Sequence, residues 1–199
     1  MTNKFQQKSK QISLYDVLKS SYRNKDDQTR DLLRYGYLKD GRLSNHNEQI
    51  YFNPKSKKLL NVVAGTHNIK DWGTDIYLGL GHLKDTNRYN EAKTVLNQAK
   101  TKYKGFNTTI AGHSLGGAIS GYISGIGDKV ITYNSGYTIG SRTRPNSTNF
   151  RTHGDIVSVL GNRNKEVKTL NNNNKSSNII SNVLSAHNVD NLKKSNIYV

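Results

Sequence analysis

The run Gly112-His113-Ser114-Leu115-Gly116-Gly117 restricts the fold of this chain more than any other stretch of it. It follows the short apolar run Thr108-Thr109-Ile110-Ala111 and leads into Ala118-Ile119-Ser120-Gly121-Tyr122-Ile123, so the local order reads strand, sharp turn, helix. A serine at the apex of a G-x-S-x-G turn is lifted out of the sheet edge with its hydroxyl turned away from the strands. Glycines on either side leave room where a Cβ would collide in so tight a turn. The helix behind the serine offers free N–H groups and a positive dipole end to an oxyanion developing there. The feature therefore predicts a nucleophile at Ser114, set in an α/β sheet. Its bland reading is a glycine-rich turn that only packs helix on sheet. A phosphate-binding loop is excluded, because no G-K-[ST] follows.

Length and charge narrow the setting. A chain of 199 residues suits one domain with a sizeable core. We expect residues 1–10 to be a flexible basic lead and residues 11–199 to form that domain. Mean hydropathy is low at -0.77, yet the apolar residues gather into short runs, which predicts a globular chain rather than a disordered one. No run reaches membrane-spanning length, and Met1 to Lys8 lack the apolar centre of a signal peptide, which leaves the compartment open between cytoplasmic and virion-associated. Cysteine is absent, which rules out disulfides and thiolate metal sites. The net charge of +16 favours anionic surfaces such as phospholipid headgroups, although a solvated lysine-rich exterior explains it equally well. The twelve tyrosines are not interleaved with basic residues as in an RNA-reading strand, so nucleic acid is not the expected partner. Nothing in the sequence indicates an oligomeric state.

Periodicity supplies the remaining elements. Ile12, Tyr15 and Leu18 fit one helix face, and Leu32 to Tyr37 a second short helix or its exit. Gln49 to Phe52 and Lys58 to Ala64 read as strands joined by the Asn53-Pro54-Lys55-Ser56 turn, hence a hairpin. Tyr89, Ala92, Leu96, Ala99 and Tyr103 recur at helical spacing in a segment opened by Thr86 or Asn87 and closed by Gly105. Strands are predicted at Lys129–Asn134, Asn149–His153 and Val167–Leu170, with a polar loop over Asn171–Asn178. Helices alternating with strands around the serine turn argue for a compact, mostly parallel central sheet flanked by helices.

A serine hydroxyl needs a base, and the base needs an acid that holds its tautomer. In α/β-hydrolases the chain order is serine, acid, histidine. After Ser114 the histidines are His153 and His187, and the acids are Asp128, Asp155, Glu166 and Asp190. Asp155 follows a predicted strand and a glycine, where a sheet presents an acid at its carboxyl edge. His187 is placed in a loop just before a short helical stretch. Asp128 sits at the opposite edge in the Gly127-Asp128-Lys129 turn, and His153 would depend on it as its acid. His113, next to the serine, is read as shaping the turn. Ser114, Asp155 and His187 are thus the preferred triad, and no metal or cofactor is called for. An oxyanion hole needs the Leu115 N–H and a second donor after an earlier strand; the Gly65-Thr66 pair fits. The following segment, His67 to Ile76, holds the single tryptophan, Trp72, as either core or the apolar tip of a flap.

Taken in order, Ala64-Gly65-Thr66, Asp71-Trp72-Gly73-Thr74-Asp75, Gly112 to Gly117, Gly154-Asp155-Ile156-Val157-Ser158 and His187 resemble the fungal-type class 3 lipases. The resemblance spans roughly residues 59 to 190 and implies the α/β-hydrolase fold and hydrolysis of lipid or other carboxylic esters through an acyl-enzyme. It matches Thr66 to the oxyanion-hole hydroxyl residue, Asp75 to the acid that supports it, and Ile69 to Thr74, with Trp72, to the lid. The chain departs from the family in carrying Ala64 where arginine is common before the Gly-Thr pair, and in being short. Its Asn- and Lys-rich style, with Tyr133-Asn134-Ser135-Gly136, looks more like the lipase-like proteins of giant DNA viruses and their virophages. That likeness implies a second reading, a structural or attachment protein of a virion with little catalysis.

Overall fold

Runs of β-branched and aromatic residues along the chain pair into one sheet. In the computed structural model, which describes residues 11–23, 27, 30, 32–66, 82–136, 146–155, 157–158, 167–173 and 178–199, the sheet has seven strands. They are β1 (Leu38–Lys39), β2 (Glu48–Asn53), β3 (Lys58–Val63), β4 (Asn107–His113), β5 (Lys129–Tyr133), β6 (Ser147–Thr152) and β7 (Val167–Leu170), lying side by side in chain order. The first three pair antiparallel through the expected hairpin, with Asn53 opposite Lys58. From β3 to β7 every pairing is parallel. The carboxyl ends of β3, β4, β5 and β6 therefore share one edge, where ligands of open α/β sheets bind.

Both faces are covered, which the period-2 alternation of the strands requires. On one face Leu60 and Val62 of β3, Ala111 of β4 and Ile131 and Tyr133 of β5 pack with helix α1 (Leu14–Ser20) and the 3-10 turn Val189–Leu192. Leu14, Leu18 and Leu192 lose all their exposure there, each contributing about 1.5–3 kcal/mol of hydrophobic stabilisation. On the other face Val63 and Ile110 pack with helices α2 (Asn87–Lys102) and α3 (Leu115–Ile123). The stripe of α2 buries Ala92, Val95, Leu96 and Ala99.

Local chemistry sets the helix limits. Ser13 caps α1, its hydroxyl accepting from the Asp16 N–H at 3.1 Å. Thr86 caps α2, accepting from the Tyr89 N–H at 3.2 Å, and Gly105 beyond its end stands at φ +83°. Two expectations shift. The 32–37 segment forms only a 3-10 turn, Leu33–Tyr35, because Gly36 at φ +80° ends it after one turn. His187 does precede a short helical stretch, the 3-10 turn Val189–Leu192, but it does not sit in a loop: it closes a helix, α4 (Ile179–His187). Ile179, Ile180, Val183 and Leu184 give that segment a helical apolar spacing that the neighbouring asparagines hide. Among the described residues no helix is long and apolar enough to cross a membrane. The 1–10 lead lies outside the described residues.

Candidate active site

Strand β4 ends at His113, and the next residue breaks the strand geometry. Ser114 stands at φ 56°, ψ -126°, a conformation that costs a non-glycine residue roughly 1–3 kcal/mol. Its backbone is held from both sides. The Ser114 N–H donates to the Tyr133 carbonyl at 3.1 Å, and its own carbonyl accepts from the Gly117, Ala118 and Gly136 N–H groups at 3.0, 3.2 and 3.2 Å. The turn packs so tightly that a Cβ on Gly116 would lie 2.5 Å from the Ala64 carbonyl oxygen. Only glycine lets α3 start this close to the end of β3. Ser114 Oγ is buried and makes no hydrogen bond among the described residues. The half-buried Leu115 opens α3, so its N–H belongs to the unpaired first turn of that helix.

Asp155 and His187 meet beside this turn. Asp155 follows β6, its N–H donating to the Thr152 carbonyl at 3.1 Å, and has no exposure. His187 Nδ1 lies 2.7 Å from Asp155 Oδ1. Asp155 Oδ2 accepts from the Ser158 N–H at 3.1 Å. Burial pushes the carboxyl up, but the His187 and Ser158 hydrogen bonds outweigh it and hold the group below its ordinary value. The ionised carboxylate can only accept, so the proton of the His187–Asp155 contact sits on His187 Nδ1. That tautomer leaves Nε2 as the basic nitrogen. Ser114 after β4 and Asp155 after β6 lie at the same sheet edge, where His187 meets Asp155.

Of the other candidates, Asp190 accepts from Lys19 Nζ at 2.8 Å and from Tyr15 Oη at 3.2 Å. Asp128 accepts from Lys100 Nζ at 2.6 Å and from the Gly125 N–H at 2.7 Å, which makes it the turn residue expected. His153 is exposed. Glu166 lies outside the described residues.

The second wall of the site is the end of β3. A Cβ on Gly65 would meet Ser114 Cβ at 3.0 Å, so this backbone lies against the serine, and the half-buried Thr66 follows it. Asp75, Ile69 and Trp72 fall in 67–81, outside the described residues. Ala64, where the family commonly has arginine, is nevertheless served by one: Arg88 Nη2 of α2 donates to the Ala64 carbonyl at 2.7 Å. The Ala64 N–H donates to the Asn47 carbonyl at 2.8 Å. Nothing local in the sequence signals Arg88, which reaches back from another element.

Two further residues escaped the sequence reading. Asn134, at φ 45°, donates from Nδ2 to the Ala186 carbonyl at 2.9 Å and accepts from the Thr152 N–H at 2.7 Å. It joins the strand that leads to Asp155 to the helix that ends in His187. Tyr22, just past α1, accepts from the Gly65 N–H at 2.8 Å and lies 2.7 Å from His113 Nδ1. Among the described residues no cluster of three or more histidines and acids could hold a metal ion.

Beneath the Ala64 contact lies Glu48, buried on β2 opposite Val63, with no hydrogen-bond partner for either carboxyl oxygen among the described residues. Burial pushes its carboxyl up from 4.5 to about 7, against the opposing pull of the Arg88 charge. Between those values the folded chain holds a proton that the unfolded chain has released. Stability from this group is thus complete below 4.5 and is lost as pH rises through about 7. Glu48→Gln is expected to narrow the difference in Tm between about pH 5 and about pH 8 by roughly 5 °C, read by thermal unfolding. An unchanged difference would contradict this assignment.

Comparison with known proteins agrees with this architecture. A family model described as a phospholipase-like, Tle-like phospholipase domain matches residues 15–190. The structure is similar to the Lip2 lipase of Yarrowia lipolytica, at 14% identity and a TM-score of 0.53, covering 83% of this chain and 82% of that one. It is also similar to a Rhizomucor miehei lipase propeptide complex, at 15% identity and a TM-score of 0.52, covering 90% of this chain and 75% of that one. A Penicillium cyclopium protein, MDLA, aligns at 12% identity with a TM-score of 0.50, over 83% of this chain and 78% of its own. These likenesses show the lipase type of α/β-hydrolase fold. No curated protein matches the sequence significantly.

Proposed function

The chain belongs to the Tle-like phospholipase domain family, and on that premise we propose that it hydrolyses carboxylic esters of lipids, phospholipids foremost, through Ser114, His187 and Asp155. Ser114 Oγ attacks the ester carbonyl while His187 Nε2 takes its proton. The negative charge that develops on the carbonyl oxygen is received by the Leu115 N–H and by Thr66. Collapse of the tetrahedral intermediate expels the alcohol, which leaves with the proton that His187 returns, and water then releases the acyl group by the same route. Asp155 keeps the imidazole in the Nδ1–H tautomer and stabilises the imidazolium.

The observation that carries the reading is the buried 2.7 Å contact between His187 and Asp155, set beside a serine in a strained positive-φ turn. A fold that needed only packing gains nothing from that strain. Preference for phospholipid rests on the family and on the net charge of +16, which draws the chain to anionic headgroups.

The test is fatty-acid release from three substrates: phosphatidylglycerol vesicles, phosphatidylcholine vesicles and a triacylglycerol emulsion. Release is expected to be at least about tenfold faster from the anionic vesicles at low salt, with the advantage shrinking as salt screens the surface. Release from triacylglycerol alone would overturn the phospholipid assignment. No release from any of the three would favour the structural or attachment role.

A further inference from the structure

Hydrogen-bond accounting fixes the state of His113, the residue before the serine. The Gly65 N–H can only donate, so the Tyr22 oxygen accepts at 2.8 Å. The phenol has one proton to give, and His113 Nδ1 lies 2.7 Å away. The roles at this contact follow from the other end of the ring. Nε2 in turn lies 2.8 Å from the backbone carbonyl of His187, which can only accept. Nε2 therefore carries the ring proton, and in the neutral ring Nδ1 accepts from the Tyr22 hydroxyl.

We propose that His113 is a positioning residue, a neutral Nε2–H imidazole that ties Gly65, on the oxyanion side of Ser114, to His187, on the base side. The inference rests on the hydrolase reading above and assigns this site a support that its three reacting residues do not include. The chain of bonds joins four elements: the end of β3, the exit of α1, the end of β4 and the end of α4. His113 meets the His187 side directly and the Gly65 side through the Tyr22 hydroxyl.

Its neutrality matters as much as its bonds. The His113 and His187 ring centroids are 4.7 Å apart. A cation at that distance would oppose the imidazolium that His187 must become when it takes the serine proton. Burial, with the His187 charge second, pushes His113 down to about 3, so it stays neutral wherever the enzyme works. The groups facing its ring among the described residues are Tyr22, Tyr133 and His187, with the Asp155 carboxylate beyond. A histidine serves here because it accepts at one end and donates at the other without charge.

Two measurements test this. Imidazole nitrogen NMR of the full chain, with His113→Gln identifying the signal, is expected to show the Nε2–H tautomer of His113 and no protonation down to about pH 5. A Nδ1–H tautomer, or a cationic ring at about pH 6, would overturn the proposal. Tyr22→Phe keeps the ring but removes the hydroxyl that meets the Gly65 N–H and His113 Nδ1. Per titrated serine site it is expected to lower kcat by roughly tenfold to a hundredfold with KM nearly unchanged, and to move the His187 ring signals. His113→Gln, which keeps a donor near the Nε2 position, is expected to retain more kcat than His113→Ala. A purely structural role would lower Tm and the titratable fraction but leave kcat per site and the His187 signals as they are, and that result would refute positioning. If the wild type hydrolyses no ester, the hydrolase reading fails, and the NMR arm alone decides the tautomer and the coupling to His187.

Discussion

Asp155→Asn is expected to slow ester hydrolysis by about 10⁴-fold while leaving the chain folded. The two side chains have the same shape, so the packing of the buried position survives. Their chemistry differs at one atom. Asp155 Oδ1 accepts from His187 Nδ1 at 2.7 Å, whereas an amide turned the other way donates there. Because Oδ2 already accepts from the Ser158 N–H, the asparagine oxygen is drawn to that donor and the NH₂ group faces the imidazole. His187 Nδ1 then becomes the acceptor and Nε2 carries the proton, so the ring cannot relieve Ser114 of its own. The loss falls on kcat, because the acid does not touch substrate. A loss below about tenfold would mean that another group orients the base.

Gly116→Ala and Gly121→Ala make the same chemical change in one nine-residue helix and are expected to act with opposite signs. In an open helical position alanine is better than glycine by roughly 1 kcal/mol. Gly121 is such a position, since a Cβ there meets nothing within 4 Å. At Gly116 the added carbon would lie 2.5 Å from the Ala64 carbonyl oxygen and 2.7 Å from its carbonyl carbon. Those are backbone atoms at a sheet end and cannot swing aside as a flexible side chain would. Helix α3 must lift off β3, which opens the face built by Val63, Ile110 and Ile119. The expected cost is about 3 kcal/mol or more, set against a gain of about 0.5–1 kcal/mol at Gly121. Urea midpoints of the two variants check this, and equal shifts would contradict the close approach on which the serine turn is built.

What the sequence revealed was what local patterns encode. The G-x-S-x-G turn announces itself because a strand, a tight turn and a helix are contiguous, and the serine–acid–histidine order with the strand-end position of Asp155 made Asp155 and His187 the preferred partners. The hairpin and the α2 stripe were legible for the same reason, being contiguous periodic segments. Strand β1 was not, because its two residues cannot show alternation. The helix that ends in His187 was hidden by the asparagines around it. Tyr22, Arg88 and Asn134 were beyond any local reading. Tyr22 meets Gly65 and His113 across separations of 43 and 91 residues, Arg88 meets Ala64 across 24, and Asn134 meets Ala186 across 52. Only the closed sheet brings such pairs together, and each acts on backbone, which carries no residue signature. Ala64 shows the consequence: the sequence suggested a missing arginine, whereas a guanidinium reaches that backbone from α2.

The central claim is that Ser114 is an activated nucleophile, and fluorophosphonate labelling tests it most directly, because the reagent phosphonylates only a serine that a base has made reactive. The serine is 2% exposed, so the full chain is incubated with the reagent both in buffer and with detergent, and the adduct is located by peptide mass spectrometry. We predict a single adduct on the peptide carrying Ser114, faster with detergent and absent from Ser114→Ala. Folded protein that stays unlabelled at Ser114 under both conditions, or equal labelling of the wild type and Ser114→Ala, would contradict the account.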